Sequence, residues 1–294
     1  MNINNIKNYI LFKDGKVVKN NGNIKFQDKE LVIIESTSLM IEYQGSCNDT
    51  LTISINPNVN LELIEIININ SNSNINEKII VNEDSNLNRY LEVNNENNFT
   101  YQNNIEIKTN ASYKSAYVDL SDGNTDASIT CNLVGGYAQA LTRLACLSAN
   151  LEDKHYQITI NHNAPNTYGN MDNYGVVENK GRLIIDGIGR ITKGMKQSKT
   201  HQINKIIVFD KDCKAQANPY LYIDEFDVDA SHGASVGKID ESQLYYLMSR
   251  GLTKNDAMHL VTYGYFMPIM EYIDNVDLRE HFKKTLEEKV NYNV

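Results

Sequence analysis

The sequence predicts a mainly β protein, a β-solenoid that gives way to a small α-helical region near its C-terminal end. Short alternating apolar runs recur along most of the chain. Asn, Asp, Ser and Gly, residues that accept tight-turn geometry, separate those runs. The periodicity then switches to helical spacing at Asp240. The expected division is residues 1–239 for the β-structure and 240–294 for the helical region.

Taken in order, the strand-like runs begin with LVIIES (31–36), LTISI (51–55), LELIEI (61–66), KIIVNE (78–83), RYLEV (89–93) and NIEIK (104–108). SYKSAYVDL (112–120), ASITCNL (127–133), ALTRLACL (140–147) and YQITI (156–160) follow. RLIIDG (182–187), KIIVFD (205–210) and YLYIDEF (220–226) complete the series. A spacing of about ten residues per strand suits a β-sandwich or a solenoid. A sandwich closes after about seven to nine strands, so a longer uninterrupted series favours the solenoid. The abundant asparagines could stack as ladders at the turns or reflect compositional drift, and drift is given the larger share.

From Asp240 the signals are helical. Asp240 is an expected N-cap with Gln243 three residues on, a variant of the capping box. Leu244, Leu247 and Met248 make an apolar stripe, and Gly251 supplies a C-terminal cap. Thr253 can cap a second helix over 254–273, which Gly264 and Pro268 should bend or divide. A third amphipathic helix is expected over 276–290.

Composition excludes several function classes. A net charge of −9 over 294 residues argues against a general nucleic-acid binder. No apolar run has the length of a membrane span, and the N-terminus lacks a secretion signal pattern, so a cytoplasmic protein is expected. Cys47, Cys131, Cys146 and Cys213 show no CxxC spacing and read as free thiols, most of them small buried hydrophobes. Neither a phosphate loop nor the HExxH or GxSxG motif is present, so no nucleotide hydrolysis by the chain itself is expected. GIGR (187–190) reads as a tight β turn.

Six histidines remain to be placed. His155 and His162 fall on opposite faces of one run and could share a metal only across a turn. His259 reads as packed or partly solvated, and His281 as solvated on a charged helix. His201 and His232 differ, because small polar residues and the carboxylates Glu225, Asp227 and Asp229 surround them in sequence. With Cys213 they could make a soft-to-borderline iron or zinc site.

The block SHGASVGKIDESQLYYLMSRGL (231–252) resembles a long motif of the SufB/SufD family of iron–sulfur cluster assembly scaffolds. The segments at 161–210 and CKAQANPYLYI (213–223) resemble the family's preceding regions. The resemblance implies a right-handed parallel β-helix, pairing of scaffold subunits as a homodimer or with a SufB-type partner, and docking of a SufC-like ABC ATPase on the C-terminal helices. From charge, hydropathy and the missing phosphate loop, no nucleic-acid or membrane partner and no directly bound nucleotide are expected. The cargo the resemblance implies is a transient iron–sulfur cluster of the 4Fe–4S type, with His232 first among candidate ligands, then Cys213, then His201, Asp229, Glu225 and Asp227. Arg250, Tyr263 and Phe266 are the expected ATPase contacts, whereas Leu247 reads as a residue that packs the helices onto the end of the β-helix. Departures from the family pattern are informative. Asn204 stands where SufB carries a sulfur-handling cysteine, and Ala230 where SufD often has one. The β-structure begins almost at the first residue, as in the short scaffolds of methanogenic archaea. The alternative reading is a SufD-like subunit that organises the ATPase and binds no cluster.

Overall fold

The computed structural model describes residues 6–291. The chain opens with two antiparallel pairs, β1 (Asn8–Lys13) with β2 (Lys16–Asn21) and β3 (Lys25–Gln27) with β4 (Glu30–Ile33). It then winds through β5 (Thr37–Gly45), β6 (Asn48–Ile55), β7 (Asn60–Ile69), β8 (Ser73–Val81), β9 (Asn86–Asn95) and β10 (Asn98–Ile107). β11 (Ser112–Asp119), β12 (Asn124–Leu133), β13 (Gln139–Ser148), β14 (Asp153–His162) and β15 (Tyr168–Val177) continue the winding. β16 (Arg182–Ile191), β17 (Lys199–Val208), β18 (Lys214–Ile223) and β19 (Asp229–Lys238) finish it. From β5 onward the odd-numbered strands stack in parallel as one sheet and the even-numbered strands as the other. The molecule is therefore a parallel β-solenoid with two strands per coil.

Alternation decides what fills it. Along each strand every second side chain points between the sheets, and these residues form one continuous apolar core from Ile10 and Leu31 to Leu183 and Ile206. Several odd-numbered strands are buried on both faces. The C-terminal helical region explains this: after α1 (Glu241–Ser249), the helices α2 (Lys254–Phe266) and α3 (Val276–Asn291) and the 3-10 turn at Met267–Tyr272 that joins them lie on the sheet. Phe266, Ile269, Ile273, Leu278, Phe282 and Leu286 pack on Ile64, Ile66, Val118, Ala145 and Leu147 of the outer sheet face, a second core.

Local chemistry accounts for the helix ends. Asp240 caps α1, but its carboxylate takes the backbone N–H and hydroxyl of Ser242, and no Gln243 capping box forms. Thr253 and Asp256 make a true capping box on α2. Gly251 sits at φ +98° and closes α1 through Leu252 N–H to Leu247 O and Gly251 N–H to Met248 O. Pro268 ends α2 and starts the 3-10 turn, whereas Gly264 passes without a break. Of the expected α1 stripe, Leu244 is buried while Met248 is 44% exposed.

Four expectations are corrected. Most strands run for ten residues and are separated by turns, so their spacing exceeds ten. The asparagines do form ladders: Asn86 donates to Asn60 at 2.8 Å, Asn124 to Asn98 at 2.9 Å, and Asn161 to Asn132 at 2.9 Å. Others take positive φ at turns, as Asn58 (62°) and Asn110 (56°) do. GIGR is no turn, since Gly187 and Gly189 lie inside β16. His281 is not simply solvated but reaches buried Glu92 at 2.9 Å.

Candidate functional site

The two ends of the solenoid differ. The antiparallel pairs close the N-terminal end, while β18 and β19 are the last strands of their sheets, with no further strand beside them among the described residues. Their side chains are far more exposed than those of the parallel strands β5 to β17. Tyr220, Tyr222, Phe226 and Val236 are all exposed there, Phe226 completely. The SHGASVG stretch is the middle of the strand β19.

His232 is exposed on β19 and stands in register with Gln202 of β17. Gln202 is buried and donates through Nε2 to the carbonyl of Tyr220 on the opposite sheet, so this face looks into the lumen. His232 thus lies over the mouth of the solenoid. His201, one residue before Gln202, points to the outer face. Its Nδ1 is 2.8 Å from Ser231 Oγ, and its Nε2 is 4.0 Å from Asp229. The two histidines occupy opposite faces of the sheet.

The remaining candidates are dispersed. Glu225 accepts the backbone N–H of Gly194 at 2.8 Å, and Asp227 accepts both hydrogen bonds of the Gln197 amide. These carboxylates tie the last turn to the one beneath it. Backbone donors hold the Glu225 carboxyl below its ordinary pKa. Cys213 lies in the turn before β18, near the Lys238 end of β19, roughly 20 Å along the strand direction from His232 at about 3.3 Å per residue. Burial pushes its thiol up, away from the thiolate that binds metal. Among the described residues no three His, Cys, Asp or Glu side chains converge as a metal site. His155 and His162 lie on one uninterrupted strand; His155 bonds Asp186 outside and His162 is buried inside, so they cannot share a metal.

Sequence reading missed the interior polar groups. Arg89 is fully buried and binds Glu65, Glu77 and Tyr101, the last at 2.7 Å. Burial drives the Glu65 carboxyl well up, and one guanidinium cannot neutralise both acids. Lys154 is equally buried, 2.8 Å from Asp119. Asn204, at the position of the SufB cysteine, is buried and accepts from Asn173 at 2.8 Å. Each falls on the inward parity of its strand, and that parity was the available signal.

At the helical end, Arg250 is exposed and lies over the Tyr246 ring at 5.2 Å. Tyr245 and Tyr246 are exposed beside a shallow groove lined by Gln243, Leu247 and Val261. Tyr263 is half-buried. Phe266 is wholly buried against the sheet, which corrects its expected role as a contact surface: it fastens the helices to the solenoid. No helix among the described residues is long and apolar enough to cross a membrane.

Comparison with known proteins adds a finding that geometry alone does not give. Residues 39–265 match the family model described as the SUF system FeS cluster assembly, SufBD core domain. The iron–sulfur cluster assembly protein SufD of Bacillus subtilis (strain 168) is 32% identical over 171 residues, 58% of this chain and 39% of that protein. A SufBD family iron–sulfur cluster assembly protein of Mycobacterium tuberculosis (strain ATCC 25618 / H37Rv) is 31% identical over 181 residues, covering 58% of this chain and 21% of the relative. Another from Staphylococcus aureus (strain USA300) is 26% identical over 179 residues, 58% of this chain and 38% of the relative. The chain thus spans well under half the length of these curated relatives.

Proposed function

The chain belongs to the SufBD family of iron–sulfur cluster assembly proteins, and from that premise we propose that it acts as a scaffold on which a cluster is built and released. The carrying observation is the open solenoid end with His232 exposed at its mouth. Edge strands left unpaired are templates for another chain. A second scaffold subunit, a copy of this chain or a SufB-type partner, meets β18 and β19 and brings its own ligands opposite His232. The cluster is cargo, held as a 4Fe–4S unit by few thiolates and therefore easily surrendered. A SufC-like ABC ATPase in the cytoplasm docks around Arg250, Tyr246 and the α1–α2 groove and supplies the hydrolysis this chain does not. Because Leu247 of α1 and Met258 and Val261 of α2 cluster with Ile207 of β17 and Ile239 just beyond β19, movement of a docked ATPase would reach the strands that end at the mouth.

Anaerobic reconstitution with iron and sulfide tests this reading. The wild-type protein is expected to gain charge-transfer absorption and bound iron, and His232→Ala to lose most of both while melting at the same temperature. Unchanged iron content in the variant removes His232 from the site.

A second reading is favoured by particular residues. Asn204 is committed to Asn173 inside the lumen, Ala230 carries no ligand atom, and Cys213 is remote. A chain so equipped suits a SufD-like subunit that organises the ATPase and a SufB-type partner. Absorption that develops only when a SufB-type chain is added would establish that arrangement.

A further inference from the structure

Near the open end the lumen is lined largely by neutral polar side chains, among them Thr167, Asn173, Ser198, Thr200, Gln202 and Asn204. Besides Asn173 Oδ1, four buried atoms there lack a hydrogen-bond partner among the described residues: His162 Nε2, Thr200 Oγ1, Gln202 Oε1 and Asn204 Nδ2. Their residues are at most 1% exposed. Three of these side chains are already anchored through their other polar atom. His162 Nδ1 lies 2.7 Å from Thr167 Oγ1, Gln202 Nε2 is 3.0 Å from the Tyr220 carbonyl, and Asn204 Oδ1 accepts from Asn173 at 2.8 Å. They cannot swing to satisfy the free atom without breaking the bond already made.

Glycines face each of these atoms. A Cβ on Gly187 would fall 2.5 Å from Gln202 Oε1 and 2.9 Å from Asn204 Nδ2. One on Gly169 would fall 3.0 Å from His162 Nε2, and one on Gly189 3.1 Å from Thr200 Oγ1. Distances this short mean that the polar side chains themselves fill the space beside these glycines, where a Cβ would collide with them. Native interiors rarely leave such groups unmade, because the desolvation cost is not recovered.

We propose that the lumen beneath the open end holds a short file of ordered water molecules, bound by the unpartnered atoms of His162, Thr200, Gln202 and Asn204. The donor set identifies the ligand as neutral. It combines an amide N–H, an amide carbonyl, a hydroxyl and an imidazole, with no carboxylate or ammonium among them. Water both donates and accepts, and it is buried where two to four polar partners surround it. Met171 stands in register with Gln202 on the next strand inward and stops the file. Outward, Gln202 stands in register with His232, so the file exchanges with solvent through the mouth.

Thr200→Val tests the proposal, because it keeps the shape and removes only the hydroxyl. A water-bonded hydroxyl makes the variant less stable, with a loss of about fivefold in the folding equilibrium constant. An unpaired hydroxyl makes it equally or more stable, which overturns the proposal. A crystal structure at high resolution supplies the second readout. Water density within hydrogen-bond reach of Gln202 Oε1 and Asn204 Nδ2 is expected, whereas a dry lumen with flipped amides bonding each other overturns the file.

Discussion

Fully buried within the lumen, the His162 ring has its pKa lowered to about 4 by that burial. In the unfolded chain the same ring titrates near 6.5. Its folded pKa is depressed, so its contribution to stability is intact above 6.5 and is lost as pH falls from 6.5 towards 4. The loss approaches about 3 kcal/mol. His162→Asn should flatten the stability profile across that window, read from denaturant midpoints at successive pH values. Arg89 poses the opposite case, a buried cation shared by two acids. Arg89→Met leaves Glu65 and Glu77 buried without a counter-charge and should cost about 3–5 kcal/mol in urea unfolding. The burial of Arg89 is legible in NLNRYLEV, where it shares parity with Leu87 and Leu91. Its partners are not legible, because Glu65 and Glu77 arrive through strand register set by coil length, which alternation does not encode.

Among the elements, the helical strap is the least expected arrangement. Sequence patterning identifies the helices and their caps but not where they lie. The hint is in strands such as ALTRLACL, whose unbroken burial requires cover on both faces. Arg143 is the strap's main polar fastening. Its guanidinium bonds Asp172 at 2.6 Å, Glu271 at 2.8 Å and the Pro268 carbonyl, and rests 4.1 Å from the Tyr272 ring centroid. Arg143→Ala should destabilise the protein by about 2–4 kcal/mol. Amide exchange is expected to quicken first in the 3-10 turn and α3, with the central strands protected until global unfolding. β19 escaped sequence reading for a related reason. DASHGASVGK has no apolar alternation, because a terminal strand has only one neighbour to satisfy.

At the scale of the whole molecule, the coils widen along the axis. Thr37 pairs with Leu61, a step of 24 residues, while Arg182 pairs with Lys214, a step of 32. Since the strands keep their length, the added residues enlarge the turns towards the open end, where the candidate site is. That growth is invisible to local patterning, which detects strands one at a time. If β18 and β19 form the contact between scaffold subunits, Val236→Lys should convert a dimer to a monomer in light scattering. Val236 is 46% exposed, so the monomer should keep its stability to within about 0.5 kcal/mol. The antiparallel pairs at the other end have a consequence for stoichiometry. Their strands carry Lys16, Lys19 and Lys25, charges that discourage further pairing. A solenoid able to add at both ends would polymerise head to tail into a fibre. If two molecules meet mouth to mouth, the edges of β18 and β19 are covered in both and only the lysine-bearing edges of β2 and β3 remain, so growth would stop at two.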